Sequence, residues 1–217
     1  MSWILENMAG KQTPNFKNSN CQSLSHGDMG LTTPVFTEMD CRDPQIDCQN
    51  ATNGGSPEVT QKQLDNVLFY QASLSVPNRR NAKNKTVLQG KALFNDLACI
   101  SYHAINQVTG AIHLNPLLEN IQIKPYSDFL LHDMGEDLAD NRPDYKANGQ
   151  EWPTQPLWRI GLIPTVNKHT YFLHDGRARS IEEAILWHGG EAAKSRDRFI
   201  DLTAEERKKL ITFINSL

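Results

Sequence analysis

Apolar side chains recur at helical spacing in four segments of the chain, and each segment has its own start signal. Thr60 has the character of an N-cap, and the apolar positions after it predict a helix from about Gln61 to Leu74. A second helix is predicted from Val87 to Leu97. Ser180 and Thr203 are each followed three positions later by Glu, the pattern of a capping box, so two more helices begin there and the second closes the chain.

The other segments lack this periodicity. Residues 1–59 are rich in Asn, Thr, Ser, Gly and Pro and are predicted to be irregular, residues 78–85 are interpreted as a polar, basic linker, and residues 106–170 are interrupted by six prolines. Nothing alternates with the period of a sheet, so the predicted fold class is mainly α with long ordered loops, which usually serve a site or wrap a ligand. Gly90, in mid-helix, indicates close packing of another helix, and the terminal helix is the candidate.

Composition and charge argue against several classes of protein. The 217 residues include 22 Lys and Arg against 25 Asp and Glu, a net charge of −3, which predicts no basic surface for nucleic acid or an anionic membrane. No apolar run approaches the ~18 residues of a spanning helix, and Met1–Met8 lacks the features of a signal peptide. Cys41 and Cys48 either form a disulfide or stay unpaired in a loop, and no cysteines have the spacing of zinc knuckles.

The segment that points to chemistry is Cys99-Ile-Ser-Tyr102-His103, at the end of the Gly90 helix. A haem c attachment site has the form C-x-x-C-H, in which one helical turn presents both thiols and the iron-binding imidazole to the same ring. Here the first Cys and the His are in register, but Tyr102 occupies the position of the second thiol. A G-x-x-L-F helix that leads into this turn, followed by loops and a terminal amphipathic helix, is typical of small cytochromes c.

Further ordered blocks extend from about Gly27 to Leu217, and together they resemble one protein family. They are Gly27–Gly30, Asn53–Pro57, Val67–Tyr70, Val76–Pro77, Gly90–Phe94, Tyr126–Gly135, Leu138–Pro143, Glu151–Trp152, Pro156–Trp158, Gly161–Leu162, Phe172–Arg179 and Ala184–Ala192. The chain resembles the C-terminal portion of the bacterial di-haem c-type thiol oxidoreductases, relatives of the di-haem cytochrome c peroxidases. It departs from that family at Tyr102 and in the absence of an N-terminal region with its own haem motif and export signal.

The resemblance implies a fold, a cofactor and a location. Residues 81–217 are expected to form a cytochrome c-like haem domain, and residues 1–80 a remnant of the preceding cytochrome-like region with a connecting helix. Haem c would be tethered through Cys99 alone, with its iron held by His103 and Met134, and replacement of Tyr102 by Cys is expected to improve haem loading and stability. The implied function is electron transfer, or an oxidoreductase activity, in the periplasm, with a redox partner protein or a second haem domain.

Several other residues are candidates with open alternatives. Arg177 and Arg179 pair with haem propionates or are ordinary surface charges. His132–Asp133 and His174–Asp175 are acid–base pairs or loop-holding pairs, and a non-haem metal hydrolase site built from all four is the least favoured alternative. His188 with Glu191 forms a distal acid–base pair or, preferably, His188 is a helix C-terminal His favoured by the helix dipole. Met29, in a Gly-Asp-Met-Gly sequence, could face the first haem.

A second function from another class also remains open. Tyr102 and the missing N-terminal region both favour a haem-free remnant that acts at most as an interaction module. The "thiol" of the family label has no support from a thiol pair near the haem motif.

Overall fold

The computed structural model describes residues 25–26, 29–39, 41, 44–110, 116–143 and 146–217, and in these residues the fold is mainly helical, as predicted. In chain order the α-helices are α1 (Ile46–Gln49), α2 (Gln61–Ser73), α3 (Lys85–Asp96), α4 (Ile163–Asn167), α5 (Ile181–Leu186), α6 (Ala193–Ile200) and α7 (Ala204–Ile214). Short 3-10 helices lie at Cys99–Ser101, Pro116–Leu118, Glu136–Leu138, Ile160–Leu162 and Gly190–Ala192. The strands are β1 (Gln107–Val108), β2 (Gln122–Ile123), β3 (Leu131–Asp133) and β4 (Glu151–Pro153).

The described residues form two compact units, one up to Ser75 and one from Val76 onward. In the first unit Thr32 and Glu58 exchange hydrogen bonds, with the Thr32 amide 2.9 Å from Glu58 Oε2 and the Glu58 amide 2.9 Å from Thr32 Oγ1. Cys41 and Cys48 form a disulfide, which resolves the alternative that the sequence left open. Met29 is 69% exposed, and Cys21 lies outside the described residues. The predicted division into a remnant and a haem domain stays a prediction.

The core of the second unit is built where α3 and α7 cross. Phe94 and Phe213 are 1% and 0% exposed, and their ring centroids are 5.3 Å apart. At the crossing a Cβ on Gly90 would overlap the Lys209 carbonyl oxygen and lie 2.7 Å from Phe213 Cβ. The prediction that the terminal helix packs closely against Gly90 is therefore confirmed.

The segment interpreted as a linker instead packs against the end of α7. The amide of Arg80 donates to the Ser216 carbonyl oxygen at 2.8 Å, and its Nη2 donates to the Asn215 carbonyl oxygen at 2.6 Å. The Arg79 guanidinium lies 4.9 Å from the centroid of the Phe213 ring. The linker prediction was wrong here because the last carbonyl groups of a helix carry partial negative charge and attract cations from elsewhere in the chain.

Two small antiparallel sheets, which the sequence did not predict, lie within the loop-rich middle. β1 pairs with β2, and β3 pairs with β4 in a register that sets His132 opposite Trp152. The expectation of no sheet was wrong because strands of two or three residues are too short for an alternating pattern to be visible.

The predicted helix starts are confirmed to within two residues. Thr60 and Thr203 each form a complete capping box, and the Ser180 hydroxyl accepts from the Glu183 amide at 3.0 Å. α3 begins two residues before the predicted Val87, because the Asn84 side chain accepts from the amide of Thr86 at 2.9 Å and caps the helix there.

Candidate functional site

The turn that contains Cys99 and His103 begins directly after α3. Ala98 adopts a left-handed conformation with a φ of 61°, which ends the helix and allows the 3-10 turn Cys99–Ser101 to form. The amide of His103 then donates to the carbonyl oxygen of Cys99 at 2.9 Å. This i, i+4 bond puts the thiol and the imidazole on one helical turn, as the motif requires.

The imidazole of His103 is fixed in one tautomer by the backbone. Its Nδ1 is 3.0 Å from the carbonyl oxygen of Tyr126, and a carbonyl oxygen can only accept, so Nδ1 carries the proton and Nε2 keeps its lone pair. Burial, followed by the repulsion between two protonated rings at His103 and His188, lowers the pKa of His103 from 6.5 to about 4. The ring is therefore neutral at pH 7, with Nε2 in the form that binds a metal.

Cys99 is the free cysteine of the described part of the chain. Burial raises the pKa of its thiol to about 11, so the sulfur is protonated at neutral pH. The side chain packs against the hydrophobic core that contains Phe94 and Phe213. This thiol is therefore placed beside apolar groups and one helical turn from the free Nε2 of His103.

A buried and strained segment supplies the carbonyl that orients His103. Tyr126 and Phe129 have φ values of 56° and 60°, although they are only 4% and 1% exposed. Ser127 holds them in place, since its amide donates to the Ala104 carbonyl oxygen at 2.9 Å and its hydroxyl donates to the Thr154 carbonyl oxygen at 2.7 Å. Strained conformations of this kind persist only where the surrounding structure enforces them, and they concentrate at functional sites.

His132 lies between two carboxylates next to Tyr102. Its Nε2 is 2.8 Å from Asp128 Oδ2 and its Nδ1 is 2.9 Å from Glu191 Oε2. Burial alone would lower the pKa of His132, but the hydrogen bonds and charges of these carboxylates outweigh it, and the pKa is raised. With both nitrogens engaged, the ring has no free lone pair for proton abstraction, which favours the structural alternative for this residue.

The segment that follows α5 packs directly against the residues around Met134. A Cβ at Gly189 would lie 2.6 Å from the Met134 carbonyl oxygen, and a Cβ at Gly190, which has a φ of 49°, would lie 2.8 Å from the Gly135 nitrogen. Only glycines permit backbone contact this close. The helix α5 ends before this glycine pair.

His188 belongs to the same segment but is not paired with Glu191. Its Nδ1 donates to the Ala184 carbonyl oxygen in α5 at 2.7 Å, whereas the Glu191 carboxylate binds His132. Burial lowers the pKa of His188, so the ring is held neutral instead of being favoured as a cation by the helix dipole. The hydrogen bond to a helix carbonyl agrees with the prediction that His188 has a structural role at the end of the helix. The neutral ring does not agree with the positive charge that this prediction assumed.

Met134 is half-buried immediately after β3. Its amide donates to the Gln150 carbonyl oxygen at 3.0 Å, which extends the pairing of β3 and β4 by one residue. The structure leaves its role as an iron ligand a prediction.

Arg177 is engaged by the protein itself. Its Nε is 2.5 Å from Asp175 Oδ2, its Nη1 donates to the Asp137 carbonyl oxygen, and its guanidinium lies 4.9 Å from the Trp187 ring centroid. These contacts describe a structural role, and pairing with a propionate stays a prediction. Arg179 has a largely exposed side chain that pairs with Glu183 at 3.1 Å.

In neither His–Asp pair of the sequence do the two side chains form a hydrogen bond or salt bridge with each other. His132 and Asp133 are neighbours in β3, so their side chains point to opposite faces, and Asp133 Oδ1 instead accepts from the Gly135 amide at 2.8 Å. His174 stacks on Trp152 with centroids 3.5 Å apart, while Asp175 binds Arg177. Within the described ranges, no group of three or more His, Cys, Asp and Glu side chains could hold a metal ion.

Two residues of the site were not singled out from the sequence. The Tyr126 carbonyl oxygen orients His103, and the Asp128 carboxylate holds His132. The i, i+4 spacing of Asp128 and His132 was a visible signal for the second, but a backbone carbonyl has no sequence signal of its own.

In the described part of the chain, no helix is both long and apolar enough to cross a membrane.

Comparison with known proteins agrees with the resemblance seen in the sequence. A family model described as "Di-haem oxidoreductase, putative peroxidase" matches residues 10–217. Neither the curated proteins nor the solved structures gave a match. Since the family match covers nearly all of the 217 residues, the chain belongs to the di-haem oxidoreductase family.

Proposed function

We propose that this chain is a c-type haem protein that transfers electrons, with a cytochrome c-like domain in its second unit. Membership of the di-haem oxidoreductase family gives a haem-based redox role. The observation that carries the finer proposal is the geometry of His103, whose Nδ1 is held by the Tyr126 carbonyl oxygen and whose neutral Nε2 is free. Histidines that bind metals commonly donate their second nitrogen to a backbone carbonyl in this way.

The residues of the Cys99–His103 turn fit a haem with one thioether. The i, i+4 hydrogen bond from His103 to Cys99 presents a free thiol and an imidazole on the same turn. The Cys99 thiol would tether the porphyrin, and His103 Nε2 would bind its iron. Tyr102 cannot form the second thioether, so attachment is single.

Met134 is the second residue that would hold the haem iron. It continues the pairing of β3 with β4, and strand alternation assigns it to the same face as His132, two residues earlier. The ring of His132 contacts Tyr102, the residue beside His103. A thioether paired with an imidazole raises the reduction potential of haem iron.

If His103 and Met134 both hold the iron, this haem would carry electrons and would not bind a substrate. Bound haem supplies the one-electron chemistry, while the chain orients the imidazole, excludes water from the apolar core and tunes the potential. Electrons would be exchanged with a redox partner protein or a second haem domain. A peroxidase activity, which the family description names, would then depend on the haem of the second haem domain.

A periplasmic location is part of the proposal. Haem c is attached outside the bacterial cytoplasm, as the family resemblance implies. The Cys41–Cys48 disulfide supports this location, because disulfides form and persist in oxidising compartments.

The test is attachment of haem in the periplasm of a host that matures c-type cytochromes. The protein should gain the mass of one haem, and the α band of its alkaline pyridine complex should have the position of a single thioether. Cys99→Ser should lose the covalent haem, whereas Ser101→Ala, an exposed neighbour in the same turn, should keep it. Covalent haem in Cys99→Ser would overturn the assignment.

The hydrogen bonds of Tyr102 favour the second candidate, a haem-free module. The tyrosine hydroxyl and ring are already engaged by Glu191 and His132, so the turn is ordered without haem. Absence of haem from folded wild-type protein after maturation would make this candidate the better one.

A further inference from the structure

The side chain at position 102 has contacts that the haem-attachment motif does not call for. The Tyr102 hydroxyl donates to the carbonyl oxygen of Glu191 at 2.7 Å. Its own carbonyl oxygen accepts from the Asp128 amide at 2.9 Å. Its ring meets the His132 ring edge-on, with centroids 4.8 Å apart and an angle of 84°. The backbone bond to Asp128 is open to any residue, but a residue that merely filled the place of a lost cysteine would not need the hydroxyl and ring contacts.

The contacts close into a ring of hydrogen bonds through four residues. Asp128 Oδ2 binds His132 Nε2 at 2.8 Å, His132 Nδ1 binds Glu191 Oε2 at 2.9 Å, and the Glu191 backbone returns to Tyr102. Glu191 Oε1 also accepts from the Asp133 amide at 3.2 Å. The side chains of Asp128 and His132 are only 15% and 14% exposed, so water competes weakly for the bond between them, whereas the Glu191 side chain is 49% exposed.

The four residues come from four different segments. Tyr102 follows the Cys99–Ser101 turn, Asp128 lies in the strained segment that orients His103, His132 lies in β3, and Glu191 lies in the 3-10 helix after α5. The ring of bonds therefore connects the turn that contains His103 to three other segments of the chain.

We propose that Tyr102 is a positioning residue for His103, acting through the ring of contacts formed by Tyr102, Asp128, His132 and Glu191, which we name the Tyr102 clamp. The clamp holds the Cys99–His103 turn by non-covalent contacts where a haem c motif has its second thioether. That His103 binds haem rests on the proposed function, but the contacts of the clamp are all between protein atoms and are present without haem. The sequence alone predicts that Tyr102→Cys improves loading and stability, whereas the clamp predicts a looser turn.

The first experiment measures amide hydrogen exchange in the full-length chain, both as isolated and after haem maturation. The reporters are the amides of His103 and Asp128, which bond to the carbonyl oxygens of Cys99 and Tyr102. Tyr102→Phe keeps the ring and removes the hydroxyl bond, so these amides should exchange about fivefold faster. Tyr102→Cys removes the ring contact as well and should give a larger increase.

Thr203→Ala is the matched control. It removes the N-cap of α7, which costs about as much stability as one hydrogen bond but lies outside the clamp. In this variant the exchange rates of His103 and Asp128, taken relative to Phe199, which is buried in α6 and lies outside both α7 and the clamp, should not change. A general loss of stability would change all amides together, so this ratio separates positioning from folding.

A second readout is spectroscopic. At equal haem content, Tyr102→Phe should convert part of the low-spin spectrum to high-spin, because His103 is held less firmly, and Thr203→Ala should keep the wild-type spectrum. Unchanged exchange ratios in both Tyr102 variants would overturn the clamp. If the wild-type protein takes up no haem but both Tyr102 variants still exchange faster, the proposed function is refuted and the clamp is supported.

Discussion

Replacement of Gly90 by alanine should separate the two helices that support the Cys99–His103 turn. In an unobstructed helix this change stabilises by up to ~1 kcal/mol. Here the new Cβ would overlap the Lys209 carbonyl oxygen and lie 2.7 Å from both the Lys209 carbonyl carbon and Phe213 Cβ. Carbon atoms in contact prefer about 3.5–4.0 Å, so α3 and α7 must move apart by about 1 Å.

The cost of that movement can be worked from the core. Phe94, Leu210 and Phe213 are at most 1% exposed, and a gap of ~1 Å forfeits about half of the attraction between their facing atoms. Overpacking of this kind costs about 1–3 kcal/mol, occasionally more. With rigid backbone on one side of the overlap, we expect a loss of about 3 kcal/mol in the free energy of unfolding, or a fall of roughly 10 °C in Tm.

The assay is urea unfolding of the full-length chain followed by far-UV circular dichroism. Gly110→Ala is the matched control, because a Cβ there meets no atom within 4 Å, and its stability should change by less than about 0.5 kcal/mol. Since α3 leads directly into the Cys99–His103 turn, Gly90→Ala should also reduce haem loading. A Gly90→Ala protein as stable as wild type would refute the close approach of α3 and α7.

Three further predictions concern the site itself. Met134→Leu should abolish the near-infrared sulfur-to-iron band of the oxidised haem protein and lower its potential, and an unchanged spectrum would mean that Met134 is merely packed. In the haem-free chain, the unfolded state binds a proton at His103 more readily than the folded state does. The free energy of unfolding should therefore fall by about 3 kcal/mol as the pH drops from 6.5 to 4, and it should be constant above pH 7. In urea titrations at these pH values, His103→Gln should remove this part of the pH dependence. Arg177→Lys should lose the planar contacts to Asp175 and lower stability by about 1 kcal/mol, and haem content equal to wild type would exclude Arg177 as an essential propionate partner.

The disulfide and the linker show where sequence reasoning stopped short. Spacing made a Cys41–Cys48 bridge possible but could not decide it, since two thiols bond only if the backbone brings them together. Residues 78–85 have the composition of a linker, yet Arg79 and Arg80 contact the end of a helix more than 130 positions later. Composition describes the polarity of such a segment and contains no information about its partner.

The sequence by itself determined the local features of this protein. It predicted the helix starts at Thr60, Ser180 and Thr203, and it placed Cys99 and His103 on one turn, because capping and i, i+4 spacing involve residues at most four positions apart. The family resemblance added the haem, and the match over residues 10–217 confirms the family.

Only the tertiary structure decided how the site is held. The carbonyl that orients His103 belongs to Tyr126, 23 positions away, and the one that accepts from Tyr102 belongs to Glu191, 89 positions away. Every residue has the same carbonyl group, so the side-chain pattern cannot show which one will be within reach. The partners of His103 and Tyr102 are fixed instead by the packing of distant segments, where the strained segment around Ser127 and the glycine pair after α5 bring backbone into contact.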